Sequence, residues 1–299
     1  DPEPKKEDPI PEEEKIPQKV DFKEITPLKN AGQTLKIGIM AGQKEVYFRV
    51  ASDFIVKAGD KKILQGRKGE IIKASFSGDK YKLKVGDEVI DFEQALRITP
   101  LEYAPILVHN VVYGQGYYWE GTEDRQYRGS LELLPQAKGI TVVNKVDLEE
   151  YLLAVVPSEM SASWPLEALK VQAVAARSYT LANLSKHQED GYDLCADVHC
   201  AAYRGIIREQ SSSNKAVITT AGEVMTYNSK PINAVYSANS GGHTENSEDI
   251  WNFAVPYLKG VSTETEISEF PLAPFELKEW LREIPASYSY QNKYTKARH

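Results

Sequence analysis

Glu159 is the side chain best placed by its surroundings to carry out proton chemistry. It lies in Val155-Val156-Pro157-Ser158-Glu159-Met160, between two segments with helical patterning. Pro157 is expected to stop the first helix, because it lacks an amide donor and clashes with the turn before it. A carboxyl group on the resulting short turn can be held rigidly and partly dried, conditions under which it keeps a proton to donate at neutral pH. The competing reading is a cap for the following helix on a solvated turn, and only the surrounding stretch decides between the two.

Arg177 sits inside an apolar, Ala-rich helical pattern, where a guanidinium needs a partner. Two roles stand open: a buried ion pair with a core Asp or Glu, or orientation of the catalytic carboxylate or a substrate group. His187, Cys195, His199 and Cys200 fall within fourteen residues. Thiolates with imidazole are a zinc ligand set, although this spacing is not a common structural pattern. A Cys195–Cys200 disulfide, as expected outside the cell, and two inert thiols are the alternatives. For zinc, the expected ligands are Cys195, Cys200 and one of His187 or His199. Ser237, Ser240 and His243 invite a serine-hydrolase reading. It is rejected, since Ser240-Gly241-Gly242 lacks the nucleophile elbow and no base–orienter pair is evident.

These residues must be positioned by the elements around them. Residues 1–30 are rich in Pro, Glu and Lys and read as a disordered, solvated linker. Residues 31–110 alternate with strand period, as in Leu35, Ile37 and Ile39, then Val46, Phe48 and Val50, then Tyr81, Leu83 and Val85. Gly78-Asp79 marks a hairpin turn. This part is expected to be a β-rich accessory module. Residues 111–265 form the expected catalytic domain, in which strand-like stretches give way to helices. Asp147 is a good N-cap with Glu150 three residues later. Leu148, Tyr151, Leu152, Val155 and Val156 share one helical face. A second helix begins near Ser163-Trp164-Pro165 and runs to about Leu184; its Ala content marks it as the central helix. Residues 266–299 are a C-terminal segment of a chain expected to be a fragment. The predicted fold class is α+β, a β-rich N-terminal module followed by a mixed domain.

Composition excludes several classes. The net charge of −7 and the lack of a Lys/Arg stripe argue against nucleic acid. No apolar run in the sequence approaches membrane-spanning length. Two cysteines cannot staple a disulfide miniprotein, and 17 tyrosines supply flat rings that suit either sheet packing or carbohydrate. The chain begins at Asp1 rather than Met, so an upstream signal peptide or anchor is expected to have been removed.

A run of motifs in one order resembles the stage II sporulation protein D (SpoIID/LytB) family. It comprises Val146-Asp147-Leu148-Glu149-Glu150-Tyr151-Leu152, Val156-Pro157-Ser158-Glu159-Met160, Trp164-Pro165-Leu166-Glu167-Ala168-Leu169-Lys170 and Gln172-Ala173-Val174-Ala175-Ala176-Arg177-Ser178-Tyr179. Cys200-Ala201-Ala202-Tyr203-Arg204-Gly205 and Ala234-Val235-Tyr236-Ser237-Ala238-Asn239-Ser240-Gly241-Gly242-His243-Thr244 follow. Trp251 and Pro256-Tyr257-Leu258-Lys259-Gly260-Val261 close the series. The resemblance covers residues 111 to 261.

The resemblance implies an exported peptidoglycan lytic transglycosylase, a lyase of the cell wall acting on glycan strands stripped of peptide. Glu159 matches the family's acid, Arg177 its important arginine and Lys259 the lysine of its final motif. Tyr236, Ser240, Gly241, Gly242, Thr244, Trp251 and Tyr257 are then expected to contact glycan, the glycines by letting backbone approach the sugar. No cofactor is required, although some members of the family carry zinc near the cysteine segment. The resemblance also brings a non-catalytic relative, an enhancer of a murein amidase. A hydrolytic muramidase is the other rival; it needs a second carboxylate, for which Glu248 and Asp249 are the nearest by motif.

Overall fold

The computed structural model describes residues 16–17, 20–28, 32–114, 116, 118–240, 242–262 and 275. Gly241 and, apart from Phe275, the 266–299 segment lie outside the described residues. The fold is mixed α+β. Strands run in succession before the first helix: β1 (Thr34–Gln43), β2 (Glu45–Val50), β3 (Phe54–Ala58), β4 (Lys61–Gly66), β5 (Ile72–Ser77) and β6 (Lys80–Val85). Then come β7 (Glu88–Phe92), β8 (Leu96–Pro100), β9 (Ile106–Tyr113), β10 (Gly121–Tyr127), β11 (Ser130–Gln136) and β12 (Gly139–Asp147). After them follow α1 (Leu148–Glu159), α2 (Leu166–Ala182), β13 (Leu194–Cys195) and α3 (Ser211–Thr219).

One sheet has the order β13-β1-β12-β11-β8-β3-β4 and the other β10-β9-β2-β5-β6-β7. Alternation builds their buried faces as expected: Leu35, Ile37 and Ile39 on β1 and Val46, Phe48 and Val50 on β2 are all buried. At the β5–β6 hairpin, Gly78 and Asp79 both take positive φ (54° and 65°), the twist that a two-residue turn requires. The expected boundary at residue 110 runs through both sheets, because β1 pairs with β12, β8 with β11 and β2 with β9. Strands placed far apart in sequence share hydrogen bonds, so the β-rich part is not a separate module. The chain divides instead into two compact units, one ending at Met225 and one starting at Thr226.

The stretch expected to be a solvated linker is docked where it is described. Ile16 is buried, and Arg49 donates to Pro17 O (2.7 Å). Lys23 Nζ donates to Ile206 O (2.7 Å), and Arg128 to Thr26 O (3.0 Å). Low apolar content hid this, because the segment is held through its polar groups and backbone.

Asp147 caps α1 as expected, accepting from the Glu149 amide at 2.9 Å. Its other carboxylate oxygen takes the Gly32 amide. All of Leu148–Val156 is buried, whereas α2 leaves Val171 70 % exposed. The central helix is therefore α1, and α2 packs on it by one face. Among the described residues, no helix is long and apolar enough to cross a membrane.

Gly129, in the turn between β10 and β11, has φ +77°, and an added Cβ would lie 2.0 Å from Lys145 O. Gly129→Ala should therefore lower stability by more than about 1 kcal/mol, as measured by urea unfolding.

Candidate functional site

Glu159 is the last residue of α1, with Pro157 inside the helix, so the expected stop at Pro157 is not found. Pro157 gives up the bond its amide would have made and crowds the turn before it, but the helix ends two residues later, at Glu159. Ser158 Oγ donates to Ala154 O (2.7 Å), and the Met160 amide closes the helix on Val156 O (2.9 Å). The Glu159 side chain is exposed, so the partly dried setting expected for it is not found. Its Oε1 accepts the Ala202 amide at 2.7 Å. Among the described residues, Oε2 has no hydrogen-bond partner.

The loop that supplies Ala202 is pinned on both sides. Before it, β13 pairs in parallel with β1, setting Cys195 beside Gly38. After it, Tyr203 is buried and its hydroxyl donates to Asn144 Oδ1 (2.8 Å), which makes it core. Gly205 has φ +69°, with Gln126 O 2.2 Å from where a Cβ would sit.

Arg177 takes the first of its two open roles. It is fully buried on α2, donating from Nε and Nη2 to the two oxygens of Glu149 at 2.7 Å each. Nη1 reaches Glu223 O (3.1 Å), and the Gly222 amide donates to Glu149 Oε1 (3.2 Å). Glu149 and Glu150, both acidic and in the first turn of α1, are buried. Glu150 receives the Tyr103 hydroxyl. Burial pushes the Tyr103 hydroxyl up, and its bond to Glu150 adds to that rise.

His187, Cys195, His199 and Cys200 bring one ligand atom each within 4.8 Å of one another. His199 Nδ1 lies 3.1 Å from His187 Nε2 and 3.7 Å from both sulfurs. Zn–N and Zn–S bonds of about 2.0–2.3 Å in a tetrahedron give ligand separations of roughly 3.3–3.8 Å, so the four groups can hold a metal ion. Both imidazoles take part, where the sequence reading chose one. His187 Nδ1 binds Asp190 (2.8 Å), which orients Nε2 toward the cluster. Both cysteines are free thiols rather than a disulfide. Their shared hydrogen bond holds Cys195 well below the ordinary thiol range and pushes Cys200 up.

Residues 136–227, which carry Glu149, Glu159, Arg177 and the His–Cys cluster, match the family described as SpoIID, stage II sporulation protein. That stretch belongs to the SpoIID family. An uncharacterised protein of Brachyspira hyodysenteriae is 38 % identical over 157 residues, covering 50 % of this chain and 42 % of that protein. The amidase enhancer of Bacillus subtilis is 42 % identical over 107 residues, covering 36 % and 14 %. Stage II sporulation protein D of the same organism is 35 % identical over 136 residues, covering 40 % of each. The match spans less than half the length of each of these relatives.

The remaining expected site residues follow the SpoIID segment, in the second unit. Here α4 (Ser247–Trp251) follows a short hairpin, β14 (Thr226–Tyr227) and β15 (Lys230–Pro231). Trp251 is 45 % exposed on α4. Lys259 Nζ pairs with Glu248 (2.5 Å), and this bond holds the Glu248 carboxyl below its ordinary range. Thr244 Oγ1 accepts the Val261 amide (2.9 Å), so it braces the segment that carries Lys259. The Tyr257 hydroxyl accepts the Asn233 amide (3.2 Å). Tyr236 and Ser240 are half-buried, and Gly242, at φ +102°, is buried. Asp249 bonds Asn246 (2.9 Å).

Breaking the buried pair should be costly, and removing both charges less so. Arg177→Met is expected to lose about 3–5 kcal/mol in urea unfolding. The double variant Glu149→Met with Arg177→Met should recover a large part of that loss.

Proposed function

We propose that this chain is an exported lytic transglycosylase of bacterial cell-wall glycan, with Glu159 as its single acid and base. The observation that carries the reading is the state of the Glu159 carboxylate. One oxygen is anchored by the Ala202 amide, and the other is open to a ligand. A glycosidase that uses water needs two carboxylates. A transglycosylase needs one, because its nucleophile is the C6 hydroxyl of the muramic residue itself, already tethered beside the reaction centre.

In this mechanism Glu159 gives its proton to the glycosidic oxygen as the C1–O bond breaks. The C6 oxygen closes on C1, and its proton passes to Glu159, which restores the acid. The product ends in a 1,6-anhydro ring, and no water is consumed. Glycan covering the exposed carboxylate excludes water from it, the condition under which a carboxyl group keeps its proton at neutral pH. Trp251, Tyr236 and Lys259 of the second unit are proposed to bind the glycan. Arg177, being buried, serves by fixing the base of α1.

A second reading is a non-catalytic enhancer of a murein amidase, supported by the 42 % identity to a protein of that name. A digest of peptide-stripped glycan, read by mass spectrometry, separates the two. Wild type should release products one water lighter than hydrolytic ones, and Glu159→Gln should release fewer by at least about 100-fold. Hydrated products would indicate a muramidase. Strands left intact by wild type, with binding retained, would favour the enhancer.

The His187–Cys195–His199–Cys200 cluster is proposed to hold structural zinc that fixes the loop carrying Ala202. Elemental analysis of purified protein should find one zinc per chain, and Cys200→Ala should abolish it. Chelation should lower the melting temperature by several degrees; protein that folds and melts identically without metal would refute the assignment.

A further inference from the structure

A cavity of about 300 Å3 lies between β1, the β9–β10 hairpin and the loop that bears the thiols. Tyr113, Trp119 and Tyr192 give it flat faces, and Ala202 forms part of its wall. The Ala202 amide is the one that holds Glu159, so a single hydrogen bond ties this wall to the proposed acid. Trp119 is half exposed, and Tyr118 stands edge-on to it at 4.8 Å. Gly114 has φ +63°, and a Cβ there would come within 2.5 Å of the indole. The ring therefore occupies space that only a glycine leaves free. Aromatic faces that are both accessible and immobilised are suited to stacking on a sugar.

The charges lining the cavity are not equally committed. Arg125 is buried and donates to Glu123 (2.8 Å). Asp197 Oδ1 accepts the amide of its neighbour Val198 (2.8 Å). Arg204 is half-buried with its guanidinium 5.9 Å from the centroid of the Tyr113 ring. Among the described residues, no carboxylate or carbonyl accepts from it. A partly desolvated guanidinium without an acceptor is arranged for an anion that a ligand brings, and its planar fork matches a carboxylate.

We infer that this cavity is a subsite for one sugar residue bearing a free carboxylate, with Arg204 binding the carboxylate and Trp119 stacking on the ring. The inference rests on the glycan reading of the preceding subsection and names the feature of the glycan that is read. The volume is at the small end of ligand pockets, about 300–1,000 Å3, which suits one residue and its substituent. In wall glycan a free carboxylate is the lactyl group of a muramic residue that carries no peptide. Attaching a peptide turns that group into an amide, which removes the charge and adds bulk. Asp197 is left to accept from sugar hydroxyls.

The test uses the full chain carrying Glu159→Gln, so that ligand is bound but not consumed. Calorimetry compares two wall-glycan tetrasaccharides, one with free lactyl carboxylates and one with the neutral lactyl methylamides. The free acid should bind at least about tenfold tighter, as a charge-assisted pair predicts. Adding Arg204→Gln should bring that ratio close to one, Arg204→Lys should keep part of it, and Trp119→Ala should weaken both ligands alike. A ratio near one in the parent, or a ratio unmoved by Arg204→Gln at an unchanged melting temperature, would overturn the inference. Should Arg204→Gln fail to fold, the Lys and Trp119 variants decide on the same criteria. Strands cut by wild type with an Arg204-independent ratio reject the subsite and keep the transglycosylase. An Arg204-dependent ratio with uncut strands does the reverse.

Discussion

The arrangement around Glu159 depends on the ion pair between Glu149 and Arg177. Two charges withdrawn from water must find each other, because either one alone in the interior is far more costly than the pair. Meeting that demand brings α1 and α2 together at one point, and the Gly222 amide and Glu223 carbonyl bring in the turn after α3. Such a pair adds little net stability compared with a well-packed apolar replacement, but losing either partner would leave the other charge buried and uncompensated. Glu159 lies ten residues beyond Glu149 on the same helix, about 15 Å along it at roughly 1.5 Å per residue. Fixing the base of this rod sets where its last turn ends.

The far end of the rod meets a second constraint of different origin. The loop from Cys195 to Tyr203 is held at one side by pairing with β1 and at the other by the buried Tyr203–Asn144 hydrogen bond. Between these anchors, Ala202 presents its amide to the carboxylate. The position of the Glu159 carboxylate is thus set by a helix buried from Leu148 to Val156 and by a loop fastened to a sheet. Neither element has to be rigid alone.

Features governed by local periodicity and capping were legible in the sequence. The β1 and β2 faces, the Gly78-Asp79 turn, the Asp147 cap and the family motifs all depend on neighbours a few residues away. Pairings across long separations were not. Nothing local to Leu35 or Val146 shows that they face each other across β1 and β12, which is why a boundary seemed to fall at residue 110. Glu149 reads as polar, and polar residues are usually solvated, so its burial could be inferred only by first asking which acid Arg177 required. The Tyr113–Trp119 cavity was missed for the same reason, since it joins three separate stretches. One signal was present: Gly114, Gly116, Tyr118 and Trp119 crowd two glycines and exposed rings into a hairpin tip. The second histidine of the cluster was also within reach, given that both lie in the same short segment.

The docked segment ahead of β1 has a mechanical consequence. Tension applied to the chain before Ile16 would not arrive first at β1. It would be taken up by hydrogen bonds from Arg49 to Pro17, from Gln126 to Asp21, from Lys23 to Ile206 and from Arg128 to Thr26. Their partners lie on β2, β10, the loop before α3 and the β10–β11 turn, so a pull at one end of the chain is shared across the unit as many small loads. Such a load would reach β1 only after these bonds had yielded.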